Sequence, residues 1–234
     1  MHGHEGHDCC KPNKAEEVVA NDPAAKALLQ GAFDKTSRWG ESFPGVTADL
    51  ILNQNGTEYK GTVTIKSSKE TDVTLSVGPE GEALLGWLKN QVGMMAAHRA
   101  SRSFEESDGK YAITFAKELD VHPLGRQILI NGDGMNSSYR IADNRIQQIS
   151  RSMGKMRFTI NIVESMTTKD NKFLTTQYVV YYFTPEGVIS NVENFTDTPF
   201  EQNGVYLPGT RRIISVENGE VIVRVLEFKN HRAI

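Results

Sequence analysis

The sequence predicts an α+β fold: a long curved antiparallel sheet, or incomplete β-barrel, of about ten strands wrapped around two helices. Three observations carry this. Two segments in the first half of the chain space their apolar residues at a helical period. From about Lys110 onward, long stretches alternate or run apolar between short turn signals, as in a β-meander. Several of those stretches are apolar on both faces, so both faces need cover, and a sheet that curls over helices supplies it. The 234 residues, 38% hydrophobic and 24% charged, suffice for one soluble-type domain with a sizeable core. Residues 1–22 read as a flexible His/Cys-rich tail and 23–234 as a single half-barrel domain.

The first helix starts at Asp22-Pro23, where Asp caps and Pro occupies the first helical position. Ala24, Leu28, Leu29, Ala32 and Phe33 form its stripe. "WGESFPGVTAD" turns the chain at Pro44-Gly45. Val46, Ala48, Leu50 and Leu52 then pair across "NQNG" with Tyr59, Val63 and Ile65, each run buried on one face. A third strand covers about residues 71–77. The second helix is read as "EGEALLGWLKNQVGMMAAHRASRSFEE", with Leu84, Leu88, Val92 and Met95 facing the sheet's concave side. Gly86 and Gly93 weaken it in isolation, so it depends on packing. In the meander, Met156, Phe158, Ile160 and Ile162 share one face. In "QYVVYYF", Tyr178, Val180 and Tyr182 oppose Val179, Tyr181 and Phe183, and "EVIVRVLEF" is similarly two-sided.

"RWGESFPGVTADL", "HRASRSFEE", "SYRIADNRI" and "GVYLPGTRRI" resemble the signature segments of an uncharacterised family common in cyanobacteria, a domain of unknown function. The resemblance covers roughly residues 24–230 and leaves out the tail; Trp39, Phe43-Pro44-Gly45, His98-Arg99, Phe104 and Tyr139-Arg140 match in order. It implies no reaction and no catalytic residues. The order of elements is in turn similar to the lipoprotein-carrier fold, an open half-barrel around helices that holds acyl chains. That similarity implies a carrier, by analogy of fold alone.

A net charge of −3 gives no electrostatic case for nucleic acid, and no stretch approaches the ~20 apolar residues of a membrane span. No phosphate-binding glycine loop, dinucleotide fingerprint or nucleophile elbow is present. The start of this numbering lacks the apolar core of a signal peptide. The two cysteines, adjacent at Cys9 and Cys10, build no disulfide framework. A cytoplasmic location is therefore expected, a removed leader being the alternative.

Two sets of residues are candidates for chemistry. His2, His4, His7, Cys9 and Cys10 offer imidazole and thiolate within nine residues, a donor set for Zn²⁺, Cu(I) or Ni²⁺. Their spacing matches no structural zinc pattern, so the reading is an adaptable chelating tail, set against a purification tag or a solvated segment. In the domain, Trp87, Met94, Tyr178 and Tyr182 are expected to line a hollow for an apolar ligand or lipid. His98 and Arg99 stand beside it, as an acid–base group and an anion clamp or as the charged end of a helix. The leading function is a non-catalytic carrier. A metal-handling protein acting through the tail is second, and an enzyme built on His98 and Arg99 third. A homodimer partner is the other way to cover the two-sided strands.

Overall fold

The computed structural model describes residues 18–117 and 121–234. Helix α1 (Pro23–Asp34) opens as its sequence requires: the Asp22 carboxylate accepts the backbone N–H groups of Ala24 and Ala25 at 2.9 and 3.3 Å. Its buried stripe is Ala25, Leu29, Ala32 and Phe33, so Ala25 takes the inward place expected of Ala24, which is exposed. Asn21 and Asp22 are themselves anchored, to the backbone N–H and C=O of Ile113.

Three strands follow, β1 (Val46–Gln54), β2 (Thr57–Ile65) and β3 (Thr71–Leu75). The turn between β1 and β2 has Asn55 and Gly56 at φ 48° and 93°, the left-handed pair that a two-residue hairpin needs. Gly61 lets β3 approach β2, because a Cβ there would stand 2.0 Å from the Thr74 carbonyl oxygen. Helix α2 (Glu82–Arg99) precedes the nine remaining strands. These are β4 (Ala112–Phe115), β5 (Arg126–Asn131), β6 (Ser138–Ala142), β7 (Arg145–Met153), β8 (Met156–Thr167), β9 (Phe173–Phe183), β10 (Ile189–Gln202), β11 (Val205–Glu217) and β12 (Glu220–Ala233).

Among the described residues the twelve strands form one open antiparallel sheet, ordered β3-β2-β1-β12-β11-β10-β9-β8-β7-β6-β5-β4. The count exceeds the expected ten because β4 and β6, four and five residues long, are too short to display a period. Strands β3 and β4 are consecutive in sequence yet form opposite edges, so α2 and the loop after it carry the chain across the concave face. The segment after α1 crosses back to β1. The two crossings meet at Trp39, whose backbone N–H donates to the Arg99 carbonyl at 2.7 Å and whose indole N–H donates to the Tyr206 carbonyl at 3.0 Å. No helix among the described residues is long and apolar enough to cross a membrane.

Each helix closes a core at one flank. Under α2, Leu88 and Val92 pack on Leu50, Leu52, Val63, Ile65 and Leu226. Under α1, Leu29 and Phe33 pack on Ile113, Ile128, Ile130 and Ile141. The stripe of Leu88, Val92 and Met95 is buried as expected, with Leu84 partly so.

The second helix is shorter than its sequence suggested. It ends at Arg99, and Ala100 is already extended (φ −63°, ψ 146°). Beyond it, Arg102 donates to the Ala97 carbonyl, and the Ser103 hydroxyl donates to the Glu106 carboxylate while accepting the Glu106 backbone N–H. Ser101, Ser103 and Ser107 follow the end of the helix, and serine hydroxyls offer the backbone bonds that compete with helix. Ser107 does so through the carbonyls of Ser103 and Phe104.

Candidate functional site: the hollow between the helices

Twelve strands about 4.8 Å apart span roughly 50 Å of sheet, while a helix with its side chains covers about 10 Å. Two helices at the flanks leave the middle strands, β8 to β11, uncovered on the concave side. There the inward residues, set by register, are Phe158, Ile160 and Ile162 of β8, Tyr178, Val180 and Tyr182 of β9, Glu193, Phe195 and Asp197 of β10, and Arg211 and Ile213 of β11. Val180, Phe195 and Ile213 are buried at the base; Phe158, Ile160, Tyr178 and Tyr182 stand half-buried around them. Tyr178 stacks on Phe195 with ring centroids 4.5 Å apart.

One face of α2 forms the wall. The helical period places Trp87, Gln91, Met94 and His98 in line, and Trp87 packs on the aromatic cluster of the middle strands. Met94 is 38% exposed and Gln91 is buried, its side-chain oxygen without a hydrogen-bond partner in the protein. Trp87 thus meets Tyr178 and Tyr182, while Met94 and His98 follow it along the same helix face. Arg99 turns about 100° from His98, donates to the Tyr206 carbonyl at 3.2 Å and lines a cleft with Trp39, Leu174 and Pro208 that Asp197 also borders.

The hollow also holds charge that sequence reading missed. Arg211 is buried and donates to both carboxylate oxygens of Asp197, at 2.8 and 2.6 Å, the bidentate geometry that makes such a pair strong. Arg224 donates to Glu217 at 2.6 Å and to Gln54 at 2.7 Å, with its guanidinium 4.4 Å from the Trp87 ring. Arg151 donates to the Tyr139 hydroxyl at 2.8 Å, and Tyr139 lies 3.5 Å from Asp108. The Tyr182 hydroxyl donates to Glu193 at 3.0 Å. Burial raises the Glu193 and Asp108 carboxyls, against the pull of Tyr182 on the first and of Arg151 and Arg102 on the second.

His98 is exposed at the end of α2, with Arg211, Arg102 and Arg151 around it. Desolvation, then Arg211, Arg102 and Arg151, hold its imidazole down to about 4. A signal for one member of this set existed in the sequence. In "TRRIISV", Arg211 and Ile213 share a face, so an inward apolar face carries an inward arginine. Arg102 and Arg151 carried no such signal.

The tail residues His2, His4, His7, Cys9 and Cys10 lie outside the described residues. Among the described residues no group of three His, Cys, Asp or Glu side chains is placed to hold a metal ion.

Residues 20–234 match the model of a family described as proteins of unknown function, DUF3386. The chain belongs to that family. The match takes in both helices and all twelve strands and leaves out the His/Cys-rich start. No curated protein matches the chain by sequence. Solved structures similar to it include a LolA superfamily protein from Nitrosomonas europaea, at 10% identity over 90% of this chain and 93% of that one, with a TM-score of 0.39. A domain named for outer-membrane lipoprotein sorting, from Vibrio parahaemolyticus, is similar at 11% identity over 89% and 92%, with a TM-score of 0.35.

Proposed function

We propose that the protein is a non-catalytic carrier that holds one apolar or lipid-like small molecule on the uncovered middle of its concave sheet. The observation behind this is the row of half-buried Phe158, Ile160, Tyr178 and Tyr182, which α2 meets only through Trp87 among the side chains packed there. Aromatic and methionine side chains suit such a place, because they give apolar contact area without demanding one fixed partner shape. An enzyme built on His98 is less well supported. Its charged neighbours Arg211, Arg102 and Arg151 all oppose the imidazolium that a general base must form.

The test is a titration with a long-chain polyene acid that fluoresces only in a dry site. Binding of one probe per chain is expected, and Tyr182→Asp should abolish it. Ile160→Asn, which leaves the Tyr182–Glu193 bond untouched, should do the same with circular dichroism unchanged. A wild-type chain that binds no probe, and that sediments as a dimer, would instead make a second copy the cover of these strands.

A further inference from the structure

The hollow is not uniform along its length. At the Trp87 end of the α2 face the surroundings are aromatic and aliphatic, and the charges among them have partners: Arg224, over the Trp87 ring, bonds Glu217, and Glu193 accepts from Tyr182. At the His98 end, eleven residues and roughly 16 Å further along the helix, they are guanidinium groups: Arg102 beyond the helix end, Arg151 on β7 and Arg211 on β11.

Counting partners shows which of these cations are spoken for. Arg211 is neutralised by Asp197, which it grips through two hydrogen bonds. Asp108 is shared: it lies in the field of Arg38, Arg102 and Arg151 and offers one carboxylate to three cations. Asp34 adds a second carboxylate in the field of Arg38, and Asp133 a third, beside Asp108 and Tyr139; with Asp197 that makes four carboxylates against the five guanidinium groups of Arg38, Arg99, Arg102, Arg151 and Arg211. The His98 end therefore carries a cationic surplus. Unused donors accompany it. The Nε groups of Arg151 and Arg38 are buried and donate to nothing in the protein, while Arg102 is exposed and spends one nitrogen on the Ala97 carbonyl. A recess that is greasy at one end and short of anions at the other matches one class of molecule by charge and by shape.

We infer that the bound molecule is an anionic amphiphile, its tail along Trp87, Ile160 and Tyr182 and its carboxylate or phosphate head at Arg102 and Arg151 beside His98. This rests on the carrier reading and sharpens it: the same hollow, with the head chemistry assigned. Guanidinium groups suit the task because their planar fork meets a carboxylate or a phosphate with two parallel hydrogen bonds.

The experiment compares four molecules on the full chain by isothermal titration at neutral pH: laurate, lauryl phosphate, lauryl alcohol and inorganic phosphate. Laurate or lauryl phosphate should bind one per chain and about tenfold or more tighter than the alcohol, the scale expected of charge-assisted hydrogen bonds. The tighter of the two assigns the head as carboxylate or phosphate. Arg102→Gln should erase most of that advantage and leave the alcohol's affinity alone. Arg102→Lys should restore part of it. Arg151→Gln should act like Arg102→Gln, with Arg151→Lys as the control for its contact with Tyr139.

Equal affinity for alcohol and acid in the unaltered chain would overturn the head assignment and leave the carrier reading standing. Inorganic phosphate competing as well as lauryl phosphate would overturn the amphiphile and make the arginines a site for free anions. No binding of either laurate or alcohol would overturn the carrier reading, and the inference with it.

Discussion

Under α2 the inward residues Leu50, Leu52 and Leu226, and under α1 Ile113, Ile128 and Ile130, are 3% exposed or less. On the same face of the same sheet, Phe158, Ile160, Ile162, Tyr178 and Tyr182 of β8 and β9 are half-buried, and of the inward residues named for these strands Val180 alone is buried. The flanks use branched aliphatic side chains, which fill a fixed space and tolerate little change. The middle sets aromatic rings and arginines among its isoleucines, side chains that keep an apolar body against the sheet and carry a polar end to a hydrogen-bond partner. The difference separates two tasks along one sheet: the flanks hold the fold, and the middle is left adaptable.

The largest effect should come where the middle is least adaptable. Asp197→Ala leaves Arg211 buried without its carboxylate, and loss of one partner of a buried pair costs about 3–5 kcal/mol. Chemical denaturation measures it, and an unmoved midpoint would mean that water reaches Arg211 and the pair belongs to the open hollow. Next comes the flank itself. Leu88 is fully buried, so Leu88→Ala should cost about 2–5 kcal/mol. Ile160→Ala, on the half-buried face, should cost about 1 kcal/mol, less than a fully buried truncation, while weakening the binding of an apolar probe. Equal costs for these two variants would erase the distinction between flank and middle.

A smaller and pH-dependent effect belongs to His98. With the folded value held near 4 and the ordinary value at 6.5, the unfolded chain binds the extra proton between those limits. The contribution of His98 is therefore complete above pH 6.5 and is lost as the pH falls toward 4. Its charged surroundings are Arg102, Arg151 and Arg211, with Asp197 on the last and Asp108 near the first two. His98→Gln should flatten the stability profile of the ligand-free chain across that window. A profile identical to the parent's would show that water screens His98 fully. The smallest effect on the domain is expected from deleting residues 1–14, which should leave the melting temperature nearly unchanged. A Zn²⁺ titration of the two forms then tests the tail: binding is expected in the full chain and not in the shortened one.

Much of this arrangement was legible from the amino acids, and the rest was hidden for stated reasons. The Asp22 cap, the Asn-Gly hairpin turns and the α2 stripe are local chemistry, written in adjacent residues. Strands β4 and β6 escaped because four or five residues show too little alternation. The helix end at Arg99 escaped because the charged, serine-rich residues beyond it still fit a helical surface. The arginines escaped because period two says that Arg151 and Phe158 each have a face, and only register says that they are opposite one another on the same one.

The seam between β1 and β12 has a consequence for how the chain comes to be folded. It pairs Val46 with Ala233, while the strands from β4 to β12 pair almost wholly with their neighbours in sequence. As the chain emerges from the ribosome, the meander can zip up hairpin by hairpin, but β1 keeps an unsatisfied edge until the last strand arrives. The β1–β3 sheet, with α2 packed beneath it, can join the meander only through β12, so the hollow has no α2 wall until β12 is in place. A chain cut short before Glu220 would carry two half-sheets sharing no ladder, each with an edge open to other chains.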